Sequence, residues 1–256
     1  MPLLAVDIGN TNVYAGIRTS GAGGWPQTMR FASRRNCTAD DWLSMLAPHL
    51  SGFLADPSSF QVVGCSVDPA LTQSFVEFSR RHLAVDALMV STALDLGLTV
   101  ATHHPAETGA DRIVNAAAAF AGYGGPVIVV DMGTATKIDA VNNRGEFLGG
   151  AIAPGLGLTM DALAQRAAQL YAVPLTIPLQ ALGANTIEAI QAGVVLGHVK
   201  MVDGLVQQIS SELGGANAVV LTGGYSSSIA GSAQTVTEHR PNLTLDGLAI
   251  IAARNA

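Results

Sequence analysis

Leu4-Ala5-Val6-Asp7-Ile8-Gly9-Asn10-Thr11-Asn12-Val13 lies near the start of the chain, and Ile128-Val129-Val130-Asp131-Met132-Gly133-Thr134-Ala135-Thr136-Lys137 repeats its pattern at mid-length. Each stretch is an apolar strand closed by an aspartate, a glycine turn set among hydroxyl or amide side chains, and a second strand. The two aspartates stand 124 positions apart, at 7 and 131, close to half of the 256 residues. A repeat of that period reads as two related domains, because a solenoid would need several shorter units. The joint falls at Gly122–Gly125, after a helix predicted over 110–121, so the expected domains are 1–122 and 123–256.

Outward from each hairpin the pattern is the same. In the first half a third strand is predicted around Thr28–Ala32, then a helix from Thr38 to Leu50 and a buried strand at Phe60–Cys65. Asp68-Pro69 supplies a cap and a first-turn proline for a helix to about His82, and Val85–Val90 reads as a further strand. In the second half Glu146–Ile152 is the third strand, and a helix follows Pro154-Gly155. Thr186 is expected to cap a long helix reaching Leu213, with Ile190, Val194, Met201, Leu205 and Ile209 on one stripe. Ala218–Leu221 is a strand ending in Thr222-Gly223-Gly224, and Leu245–Ala253 is a final helix. The class is α/β, with mixed sheets packed between helices.

Composition limits the function. Hydrophobic residues make up 49% and charged residues 12%, enough apolar material for a sizeable core. A net charge of −6 argues against nucleic acid as a partner, and Arg34–Arg35 and Arg80–Arg81 are expected on solvated faces. No unbroken apolar run is long enough for a membrane span, and no basic leader precedes Leu3–Val6, so neither anchor nor secretory signal is expected. Cys37 and Cys65 lack metal or disulfide spacing and are expected to be reduced core thiols, which fits a cytoplasmic protein.

One Asp-x-Gly hairpin is an ordinary turn. Two at equivalent positions, facing each other across a cleft, suit a triphosphate. Glycine turns bring backbone N–H groups to anionic oxygens, and the aspartates can hold a metal ion directly or through water. Thr222-Gly223-Gly224 could seat an adenosine, or merely lead into a helix.

These hairpins resemble the phosphate motifs of the acetate and sugar kinase/heat-shock protein/actin superfamily. Within it, four ordered segments resemble type III pantothenate kinases: Asp7-Ile8-Gly9-Asn10-Thr11, Gly109-Ala110-Asp111-Arg112, Asp131 through Thr136, and Gly149-Gly150-Ala151-Ile152-Ala153-Pro154-Gly155. Asn185-Thr186 ahead of Ala189–Gly193, and Leu243–Leu248 near the end, also match. The resemblance implies two ribonuclease H-like (actin-like ATPase) domains with a nucleotide cleft between them. It implies transfer of the ATP γ-phosphate to pantothenate, with Mg2+ and a monovalent cation (K+ or NH4+), in a homodimer. Asp7, Gly9, Asn10, Thr11, Asn12 and Tyr14 match the first ATP loop, and Thr134 a second ATP contact. Asp131 matches the monovalent-cation position. Gly109, Ala110, Asp111, Arg112 and Thr186 match pantothenate contacts, with Asp111 as catalytic base.

That base makes chemical sense by itself, since a primary alcohol must lose a proton as it attacks phosphorus. Arg112 adds a planar cation suited to a substrate carboxylate, although both residues also fit a plain helix start. Two positions depart from the family pattern. Thr102, kept as a substrate contact, stands where these kinases usually have tyrosine. Lys137 stands where they usually have threonine. Its ammonium could reach a phosphate or the cation position, and the plainer expectation is an outward-pointing strand lysine. His103-His104 is expected in a loop, not on a metal. Two rival functions remain: a kinase of the same superfamily with another hydroxyl substrate, and a nucleotide-binding regulatory protein.

Overall fold

The computed structural model describes residues 1–19, 24–50, 60–166 and 170–256. The described chain divides into two compact units. The first comprises Met1–Gly97, His103–Ala118 and Thr244–Ala256, and the second Leu98–Thr102 and Ala119–Leu243.

Unit 1 is built on β1 (Leu3–Ile8), β2 (Asn12–Arg18), β3 (Gln27–Ala32), β4 (Gln61–Ser66) and β5 (Leu88–Met89). They lie in the order β3-β2-β1-β4-β5, with β1 antiparallel to β2 and parallel to β4. As the central strand, β1 is apolar on both faces and almost wholly buried. Leu4, Val6 and Ile8 meet Trp42 and Leu46 of α1 (Ala39–Leu50) and Leu71, Phe75 and Phe78 of α2 (Pro69–Leu83). Trp42 packs edge-on to Phe75 at 5.2 Å and donates its indole N–H to Ser74 Oγ at 2.9 Å. Asp68 caps α2 as expected, accepting from the amides of Ala70 and Leu71. The strand expected over Val85–Val90 shrinks to two residues because its first half closes α2. Ala84 turns left-handed (φ 53°), Val85 N–H bonds Ser79 O, and Ser79 Oγ donates to Val85 O.

Unit 1 also holds the start of α3 (Ala110–Tyr123) and all but the first residue of α7 (Leu243–Arg254). Gly247 rests against the Val114 carbonyl so closely that any Cβ would collide with it. Thr244 Oγ1 donates to the buried Asn115 Oδ1 at 2.8 Å, and Trp25 Nε1 to Asp246 Oδ1 at 2.8 Å. The terminal Leu243–Leu248 segment is therefore a docking element for the helix that starts at Ala110.

Unit 2 repeats the plan. Its strands are β6 (Thr99–Val100), β7 (Val127–Met132), β8 (Ala135–Val141), β9 (Glu146–Pro154), β10 (Ala218–Thr222) and β11 (Glu238–His239), in the order β11-β10-β7-β8-β9-β6. Without β6, the order and directions match those of unit 1, with β7 antiparallel to β8 and parallel to β10. Strands β6 and β11 were not expected, since two residues carry no periodicity to read.

The helices of unit 2 include α4 (Leu156–Arg166), α5 (Thr186–Gln191) and α6 (Gly197–Leu213). Here the sequence expectation needs correction. Asn185, not Thr186, is the cap, accepting from Glu188 N–H, and a π-helical turn at Ala192–Leu196 interrupts the long helix. The turn shifts the stripe, so that Val195, Val199, Val202 and Val206 are buried while Met201, Leu205 and Ile209 lie partly covered. Among the described residues, the helix Thr186–Leu213 is long and apolar enough to cross a membrane by length and composition, which the run count had not anticipated. Its buried valine face marks it as a core helix.

Candidate active site

The first hairpin turns tightly at Gly9, whose N–H bonds Asn12 O at 3.0 Å; a Cβ on Gly9 would lie 2.9 Å from that oxygen. Ser33, not anticipated from sequence, pins the loop from β3's end, donating Oγ to Gly9 O (2.6 Å) and N–H to Thr11 O (2.9 Å). Asn10 and Thr11 stand exposed at the tip. Asp7 lies half-buried at the strand end and accepts the Cys65 thiol at 3.4 Å, across the β1–β4 ladder. Tyr14 pairs with Asp7 on β2, and the Arg30 guanidinium sits 4.8 Å from its ring centroid. Both cysteines are free and buried, as expected.

The second hairpin is one residue shorter: Gly133 N–H bonds Ala135 O at 3.1 Å, and Asp131 pairs with Lys137 where Asp7 pairs with Tyr14. Two further glycines close around it. A Cβ on Gly155 would lie 2.5 Å from the carbonyl oxygens of Gly133 and Thr134, and Gly155 N–H bonds Thr134 O at 3.1 Å. Gly223 has φ +97°, and a Cβ there would fall 2.5 Å from Asp131 Oδ1. Gly133, Gly155 and Gly223 thus form a close-packed, glycine-lined cradle around the Asp131 carboxylate. His198 supports it from α6, with Nε2 2.8 Å from Thr136 Oγ1. Burial pushes the imidazole pKa down, so His198 stays neutral near pH 7. A histidine on a valine stripe was the available signal, and it was missed.

Lys137 does not point outward, contrary to the plainer expectation. Its Nζ lies 2.7 Å from Asp131 Oδ2, and both side chains are largely shielded, 16% and 14% exposed. Carboxylate and ammonium attract strongly at that range when water is excluded, and alternation along β8 already directs Lys137 to the face that Asp131 occupies.

Asp111 is the second residue of α3, half-buried, with Oδ1 accepting the Arg112 N–H at 2.9 Å. Gly109 precedes the helix because a Cβ would lie 2.7 Å from Asp111 Oδ1. Ala110 and Arg112 share that first turn, where the helix dipole favours an anion. The first hairpin and Asp111 belong to unit 1; Thr102, Asp131, Thr134 and Thr186 belong to unit 2. Thr102 follows β6, its Cγ2 3.6 Å from the space beside Gly149 on β9. Thr186, at the start of α5, lines an apolar cavity of about 830 Å³ with Leu163, Leu170, Ile190 and Val194. Exposed His103 and His104 sit in a loop, as expected. Among the described residues no group of three or more His, Cys, Asp or Glu could hold a metal.

Comparison with known proteins identifies the family. A family model described as type III pantothenate kinase matches residues 3–208. A type III pantothenate kinase from Roseiflexus castenholzii is 42% identical over 260 residues, covering 99% of each chain. Another, from Thermomicrobium roseum, is 43% identical over 252 residues, covering 96% of this chain and 95% of its own. Among solved structures, a Campylobacter jejuni protein described as a Baf family transcriptional activator aligns over 98% of both chains with TM-score 0.63 and 18% identity. A Sinorhizobium meliloti protein described as a 2-dehydro-3-deoxygalactonokinase aligns over 98% of this chain and 95% of its own, with TM-score 0.58 and 15% identity. At such identities the two structures speak for the fold alone, the two-domain α/β architecture that the resemblance implies.

Proposed function

The chain belongs to the type III pantothenate kinase family, and from that premise we infer that it phosphorylates pantothenate to 4′-phosphopantothenate with ATP, the first step of coenzyme A synthesis. The full-length match to kinases of that name carries the reaction; the geometry supports the roles of individual residues. In this reading Asp7, Gly9, Asn10, Thr11, Asn12 and Tyr14 hold ATP from one hairpin and Thr134 from the other. Asp111, held at the start of α3 by its bond to the Arg112 amide, takes the proton from the pantothenate hydroxyl. Arg112 binds the substrate carboxylate, aided by Gly109, Ala110, Thr102 and Thr186. Magnesium, when bound, offsets phosphate charge. A monovalent cation at Asp131 would have to share that carboxylate with the Lys137 ammonium. We further infer a cytoplasmic homodimer; buried free thiols such as Cys37 and Cys65 fit a reducing compartment.

Purified protein incubated with ATP, magnesium and a panel of hydroxyl substrates tests the reading. Pantothenate should be the preferred acceptor, and Asp111→Asn should lower kcat by about 10²- to 10⁴-fold with ATP binding intact. Turnover of a sugar in its place, or an Asn variant as fast as wild type, would sink the substrate or the base respectively.

A further inference from the structure

Asp131 is the carboxylate around which the second cradle is built, and its two oxygens have different neighbours. Oδ1 lies against Gly223, where even a methyl group would come within 2.5 Å. Oδ2 meets Lys137 Nζ at 2.7 Å in a pair of which little is exposed. A carboxylate this shielded, beside a turn that would receive phosphate, would repel the ligand unless a positive charge stood against it. The equivalent hairpin solves the problem differently, with uncharged Tyr14 at the ladder position that Lys137 fills. Lys137 is also well placed by the backbone. It sits directly across from Asp131, three residues beyond Thr134, so the strand pairing holds its stem in register before any ligand arrives. A free monovalent ion at the same carboxylate would have to displace that ammonium or sit within a few ångströms of a like charge.

We propose that Lys137 Nζ is a tethered replacement for the monovalent cation at Asp131, so that nucleotide binding and turnover here do not require added potassium or ammonium. The ammonium neutralises Asp131, removing the charge that would repel a phosphate, and because it is covalently attached its occupancy does not depend on salt composition. The idea rests on the kinase reading only for turnover; its effect on nucleotide binding is independent of which alcohol is phosphorylated.

Titration calorimetry with MgATP, in buffer whose only other cation is tetramethylammonium and again with saturating KCl or NH4Cl, is the test. Wild type should bind with Kd changed by less than about twofold between the buffers. Lys137→Thr, checked for fold by circular dichroism, should bind about tenfold or more weakly without potassium and recover when potassium or ammonium is added. Lys137→Met keeps the apolar stem and removes the charge, and should weaken binding likewise. Pantothenate phosphorylation measured in the same buffers should follow the binding data. Wild-type binding that needs potassium overturns the proposal, whether or not either variant folds. So does a folded Lys137→Thr that binds equally well in both buffers. If pantothenate is never phosphorylated, the substrate assignment fails while the binding comparison still judges Lys137.

Discussion

His198 shows how one buried polar residue ties α6 to the second hairpin. It is 6% exposed and hydrogen-bonded to Thr136, and its burial disfavours the charged form. The linkage has a definite sign. Above the ordinary histidine pKa of 6.5 the folded and unfolded states are both neutral, and His198 adds no pH dependence. As pH falls through that value the unfolded chain takes up a proton that the folded protein refuses, so stability declines until the depressed folded pKa is reached. Urea unfolding from about pH 7.5 to 5 should therefore show wild type losing stability. His198→Gln, which can still bond Thr136, should lose less over that interval. Parallel slopes for the two proteins would remove His198 as a contributor.

Glycines within helices show the same contest at the scale of elements. Gly204, inside α6, has open space where a Cβ would go, whereas at Gly247 in α7 the Cβ would run into the Val114 carbonyl of α3. Helix propensity alone favours alanine over glycine by about 1 kcal/mol. Overpacking at a close helix crossing costs about 1–3 kcal/mol and should outweigh it. Gly204→Ala should thus stabilise by up to about 1 kcal/mol, and Gly247→Ala should destabilise by a similar amount and lower kcat, since α3 begins with Asp111. Denaturant midpoints and turnover decide; a more stable Gly247→Ala would mean that α7 docks with slack.

What sequence could reveal also follows the elements. The central strands were legible because apolar runs ending in Asp-x-Gly occur twice, and α2 because Asp68-Pro69 both caps and starts it. The echo itself drifts by one residue after the turn: sequence spacing sets Lys137 beside Val13, but the ladders set it beside Tyr14. A two-strand signal does not encode which way a lysine leans, so the Asp131 pair needed coordinates. Ser33, Gly155 and Gly223 reach their loops from distant elements, and only tertiary packing brings them there. Asn185 displaced Thr186 as the cap because both residues suit that role, and local sequence does not choose between adjacent candidates.

For the molecule as a whole, the distribution of exposed apolar side chains is uneven. Among the described residues, every large hydrophobic side chain that stands exposed, other than Met1, falls between Leu148 and Ile187, all within unit 2. Leu179 and Leu182 are 105% and 89% exposed, and Ile187 on α5 is 42% exposed one residue from Thr186. Water contact with that much aliphatic surface is unfavourable, at roughly 25 cal/mol per Å², and covering it with a second copy would relieve it beside the cavity that Thr186 lines. Light scattering of wild type should therefore report a dimer. Leu182→Glu combined with Ile187→Glu should shift it to monomer, because two carboxylates in an apolar interface lack partners. If the partner chain completes the acceptor pocket, that monomer should show a raised pantothenate KM of about tenfold or more with MgATP affinity unchanged, since both hairpins belong to the same chain. A monomeric wild type with full activity would leave this apolar segment without a role in assembly. A monomeric variant that keeps its pantothenate KM would place the acceptor site wholly within one chain.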